Sequence, residues 1–111
     1  MVLNNSKFYR FEVDGIGIYE AVDRDCKKDD SRRANKPDGS WLPKKGINYL
    51  GAVSFWSEVG LQRYRDSGLL DWHKSVLNGE VRMITIGRPV EILYEDEYQI
   101  IIKPELLVTT H

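Results

Sequence analysis

The chain has 111 residues, 41% hydrophobic and 30% charged, a balance that excludes a disordered or membrane-embedded chain and fits one domain. Lys+Arg number 16 against 17 Asp+Glu, so the net charge of −1 gives no overall field for nucleic acid. Cys26 is the only cysteine, which excludes an intramolecular disulfide and a cysteine-based zinc cluster within one chain. The apolar runs fall far short of the ~18 residues of a membrane span. The start, MVLNNSKFYR, lacks a basic segment followed by a long apolar stretch, so no signal peptide is expected and a cytoplasmic setting is.

Residues 7–13, KFYRFEV, alternate as a first strand that stops at Asp14-Gly15. Ile18, Tyr19, Ala21, Val22 and Cys26 then fall at helical spacing, which predicts a short helix over about 17–28. A strand over 16–19 is the competing reading. Residues 29–46, DDSRRANKPDGSWLPKKG, read as a long irregular loop punctuated by Pro37, Gly39, Pro43 and Gly46. Loops of this length tend to be mobile or functional. Trp41-Leu42 is an apolar island within it, suited to tie the loop to the core or to form a contact surface.

Residues 47–55 form a candidate buried strand. Ser57 is placed to cap the helix that follows, with Glu58 near its positive end. That helix runs to about Asp66 and stops at Ser67-Gly68. A second helix over 69–77 carries Leu69, Leu70, Trp72, His73, Val76 and Leu77 on one face and closes at Asn78-Gly79. Neither helix is long enough to be stable alone, so both must dock on a sheet.

Three strands follow, over 80–87, 90–94 and 98–103. The pattern of the last two predicts a hairpin with Glu95-Asp96-Glu97 as a three-residue loop. Tyr94 then pairs with Tyr98, Ile92 with Ile100, and Val90 with Ile102, gathering six apolar residues on one face. A two-residue loop mixes the faces, which is penalised wherever one face is buried. The predicted fold is α+β: a small antiparallel or mixed sheet with two or three short helices packed on one face.

Few constellations carry chemistry. His73 lies on an apolar helix face, where packing is the ordinary role, and no ligand cluster accompanies it, so no metal is expected. Gly15-Ile16-Gly17 lacks the further glycine and βαβ context of a phosphate loop. Residues 23–45 carry eight basic side chains against five aspartates, and those aspartates disfavour a nucleic-acid surface around Trp41.

One set stands apart: Tyr9-Arg10 on the first strand, Ser54-Phe55-Trp56-Ser57 at a central strand end, and Glu95-Asp96-Glu97 before a late strand. In this order it resembles the arginine–serine–glutamate pattern of the ADP-ribosyltransferase superfamily. The resemblance implies NAD as cofactor, with Arg10 clamping its phosphates and Ser54 shaping the nicotinamide pocket. Glu97 would stabilise an oxocarbenium-like ribose and Glu95 would orient the acceptor. The guanidinium suits a pyrophosphate, and a carboxylate suits a cationic sugar centre. The chain departs from the family in joining its E-x-E directly to the preceding strand as a tight hairpin.

The plainer reading of that triplet is a polar turn. On it, the protein is a small non-enzymatic binding module of the regulator or inhibitor type, such as a mobile element carries. It needs no cofactor, and its partner is another protein rather than nucleic acid or membrane. The expected contact residues are Arg32, Arg33, Trp41 and Trp56, since arginine and aromatic side chains dominate interface energetics.

Overall fold

The computed structural model describes residues 7–42 and 51–103. The fold is α+β, as expected. Strands β1 (Lys7–Val13), β2 (Ile16–Gly17), β3 (Val53–Trp56), β4 (Arg82–Gly87), β5 (Tyr94–Glu95) and β6 (Gln99–Ile102) form one antiparallel sheet. Its order is β2-β1-β3-β6-β5, with β4 paired to β1. The helices are α1 (Ile18–Asp25), α2 (Glu58–Asp66) and α3 (Leu69–Val76), with a 3-10 helix at Ser31–Asn35. None of these helices is long and apolar enough to cross a membrane. The first part of the expected strand over 47–55, and the loop end over 43–46, lie outside the described residues.

The chain separates into two compact units. The first comprises, of the described residues, 7–10, 51–61 and 85–103. Its centre is the β3–β6 ladder, in which Val53 faces Ile102 and Phe55 faces Ile100. Phe8, Phe55, Ile100 and Ile102 are buried. Burial of such side chains contributes roughly 1.5–3 kcal/mol each.

The hairpin register corrects the sequence-based pairing. Tyr94 faces Ile101 and Glu95 faces Ile100, so Tyr94 does not pair with Tyr98. The Asp96 side chain decides this, because its Oδ1 accepts from the N–H groups of both Tyr98 (2.8 Å) and Gln99 (2.9 Å). With Asp96 N–H donating to the Gln99 carbonyl at 3.0 Å, the tip is the two-residue turn Glu97-Tyr98. Val90 is exposed rather than turned inward, and Ile102 is matched by Val53 instead. The penalty on mixed faces is met by pairing β6 with β3, a partner that hairpin patterning alone leaves out of account.

Ser57 caps α2 as expected: its Oγ accepts from the Gly60 N–H at 3.0 Å, which satisfies one of the free donors of the first helical turn.

The second unit comprises residues 11–42 and 62–84. Asp14 (φ 53°) and Gly15 (φ 81°) make the tight β1–β2 turn, the left-handed pair that such hairpins need. Helix α2 ends at Gly68, whose φ of 82° is a left-handed conformation glycine adopts without steric cost. The apolar faces of α1 and α3 pack together, burying Val22, Cys26, Trp72 and Val76 in one cluster. Between β1–β2 and α3, Tyr64 and His73 are 0% and 1% exposed. They lie among Phe11, Tyr19 and Trp72 as a set of stacked, tilted and edge-on rings.

Candidate functional site

The Trp41 segment of the second unit is an organised turn. Both oxygens of Asp38 are engaged by Ser40, Oδ1 by its N–H at 3.1 Å and Oδ2 by its hydroxyl at 2.7 Å. These bonds hold Asp38 below the usual carboxylate range, the hydroxyl first, and the charge of Arg63 adds a smaller push in the same direction. Leu42 N–H closes the turn on the Gly39 carbonyl at 3.0 Å. Space at Gly39 is tight, since an added Cβ would meet the Leu42 side chain at 3.3 Å and that of Leu69 at 3.8 Å.

Upstream, the same loop is tied to α3 and α1. Trp72 Nε1 donates to the Arg32 carbonyl at 3.1 Å. Arg33 donates from Nε to the Lys27 carbonyl at 2.8 Å and from Nη2 to the Cys26 carbonyl. Asp30 caps the 3-10 helix by accepting from Arg32 N–H at 2.9 Å. The Arg32 guanidinium lies on that same carboxylate at 2.8 Å and holds it well below its ordinary range.

Trp41 itself is half-buried. The Arg63 guanidinium lies over its ring, Cζ 5.3 Å from the centroid, within the range of a cation–π contact. Arg63 is exposed on α2. The turn thus presents an indole and a guanidinium side by side on an ordered backbone, where an aromatic anchor and a hydrogen-bonding cation can act together.

The other expected contact residues have different placements. Arg33 is held by backbone carbonyls, and Arg32 is clasped to Asp30. Trp56 is 8% exposed, opposite Tyr9 in the β1–β3 pair. Arg63 was missed in the sequence because nothing in local spacing links α2 to residue 41.

The arginine–serine–glutamate set all falls in the first unit. Arg10 Nη1 donates to Ser54, at the backbone carbonyl, 3.2 Å away. The serine beside Glu97 is Ser57, whose Oγ donates to the Glu97 carbonyl at 2.6 Å. Glu97 is exposed, and the Glu95 carboxylate forms a two-point pair with the Arg88 guanidinium, at 2.5 and 3.2 Å. Arg10 and Ser54 are therefore brought together through the backbone, and the two glutamates sit on the turn and the strand before it.

Comparison with protein-family profiles, with characterised proteins and with solved structures found no match to the chain.

Proposed function

We propose that the protein is a non-enzymatic binding module, acting in the cytoplasm on another protein through the surface around Trp41. The observation that carries this reading is the Trp41–Arg63 stack on a tethered turn. A loop already ordered before binding loses less conformational freedom when a partner docks, which favours affinity. Trp and Arg are also the residues that most often supply the energetic centre of an interface. Arg32 and Arg33 serve this surface by holding the loop, and Trp56 belongs to the core.

Trp41→Ala in the full chain tests the reading. Folding should persist with a stability loss of about 1 kcal/mol, the order of one exposed cation–π contact. A protein captured by the parent chain should be lost by the variant. A loss of roughly 3–5 kcal/mol would instead assign the ring to the core and remove the proposed surface.

A second reading, an ADP-ribosyltransferase-like enzyme using NAD, draws support from the 3.2 Å approach of Arg10 to Ser54 in the unit that also holds Glu97. Titration with millimolar NAD, followed by amide chemical shifts, should then perturb Arg10, Ser54 and Glu97 together. Unchanged shifts at all three would end it.

A further inference from the structure

We infer that the partner meets the Trp41 surface with a carboxylate, as an acidic peptide segment whose side chain docks on the Arg63 guanidinium beside the indole. The inference rests on the reading of that surface as a protein contact.

The arginines of the second unit have different partners. Arg24 is paired with Asp14 and Asp25, Arg32 with Asp30, and Arg33 with Asp23, while Arg65 and Arg82 are exposed and, among the described residues, make no ring contact of the kind Arg63 makes. Arg63 is exposed and rests on a ring, and among the described residues no carboxylate forms an ion pair with it. Asp38, which feels the Arg63 charge, and Asp66, three residues on along α2, each have another donor. Asp38 is held by Ser40 at both oxygens, and Asp66 accepts from the Gln62 side-chain amide at 2.8 Å.

A guanidinium lying on an aromatic face keeps its N–H donors for a further partner, and they match the two oxygens of a carboxylate. The ring restricts the side chain before binding, so less entropy is lost when the contact forms. The half-buried Trp41 supplies apolar surface beside that charge. The pair therefore fits a peptide in which a carboxylate and an apolar side chain are close together.

A phosphate backbone fits less well. Nucleic-acid binding requires several cations following one strand, and the loop arginines here are bound to Asp30 and to main-chain carbonyls. A single exposed guanidinium, its field shared with Asp38, forms no such track and matches one carboxylate at most.

The test uses the full chain, isotopically labelled, with three probes: a short peptide of alternating Glu and Leu, its counterpart with Gln for Glu, and an oligothymidylate. The readouts are the Trp41 indole N–H and the Arg63 Nε–H resonances. The acidic peptide should shift both, and the Gln peptide should bind about threefold or more weakly, the order expected for an exposed charge pair. Arg63→Gln should erase that preference, and added salt should reduce it.

Equal shifts from both peptides would overturn the inference while leaving the Trp41 surface standing. So would a stronger response to the oligonucleotide, which would redirect the site to nucleic acid. No response to millimolar acidic peptide would also overturn it. Failure of the protein-contact reading itself is read separately, from the stability and capture behaviour of Trp41→Ala.

Discussion

Ser57 joins the start of α2 to the hairpin tip: its Oγ donates to the Glu97 carbonyl at 2.6 Å while accepting from Gly60 N–H at 3.0 Å. Its own N–H donates to the Tyr98 carbonyl at 2.9 Å. One buried serine therefore caps a helix and docks a turn. What it holds in Glu97 is the main chain, so the carboxylate stays at the surface.

That division predicts opposite outcomes for two neighbours. Ser57→Ala should lose about 1–3 kcal/mol, because a helix cap is removed and a carbonyl loses its donor. Glu97→Gln should stay within about 0.5 kcal/mol, as surface changes ordinarily do. Urea denaturation of both variants checks the pair, and a large loss in Glu97→Gln would contradict the assignment of the contact to the backbone.

Gly60 is a position where helix propensity and packing oppose each other. Alanine is favoured over glycine by about 1 kcal/mol in a helix interior. An added Cβ here would lie 2.0 Å from the Tyr98 carbonyl oxygen and 2.8 Å from Trp56 Cε3. A backbone atom at that distance must move, and forced repacking costs about 1–3 kcal/mol or more. Gly60→Ala should therefore be less stable than the parent, with its amide shifts concentrated around Tyr98. A more stable variant would show that α2 and the hairpin are not held this closely.

The Tyr64–His73 pair makes the second unit sensitive to acid. Tyr64 Oη lies 2.5 Å from His73 Nδ1, and burial raises the tyrosine, keeping its proton in place to donate to the neutral ring. Burial is also the main force lowering His73 from 6.5 to about 4; Lys36 and Arg33 add repulsion, and Asp23 opposes them. Because the folded-state value is the lower one, the unfolded chain takes up the proton first. The contribution is complete above pH 6.5 and is lost as pH falls toward 4, by up to about 3 kcal/mol. Other carboxylates titrate in this window, so the measurement is the difference in pH slope between the parent and His73→Gln. Identical slopes would refute the assignment.

Within the acidic triplet, Asp96 is the side chain that holds the turn's own backbone. Asp96 accepts from Tyr98 N–H, Gln99 N–H and, through Oδ2, the Tyr94 hydroxyl at 2.8 Å. Asp96→Ala should loosen the tip and lower stability by about 1–2 kcal/mol, whereas Asp96→Asn keeps an acceptor oxygen and should recover much of this. Amide hydrogen exchange at Tyr98 and Gln99 reads the effect directly. Exchange unchanged in Asp96→Ala would return the register to strand patterning.

Local signals in the amino-acid sequence determined the boundaries of β1, the helical span of α1, the Ser57 cap, the Gly68 stop and the extent of α3. Each depends on residues within a few positions of one another, such as a period, a capping oxygen or a glycine able to adopt positive φ. The hairpin was only partly legible: the strand over 98–103 was evident, but the expected strand over 90–94 forms only at Tyr94–Glu95 and the tip is Glu97-Tyr98 rather than the acidic triplet. Its register is decided by Asp96 folding onto its own backbone and by β3 supplying the partner for Ile100 and Ile102. Tertiary structure alone brought Arg63 over Trp41, set Tyr64 against His73 and turned Ser57 toward Glu97. These contacts join separate elements, so composition and periodicity could name the side chains but not bring them together.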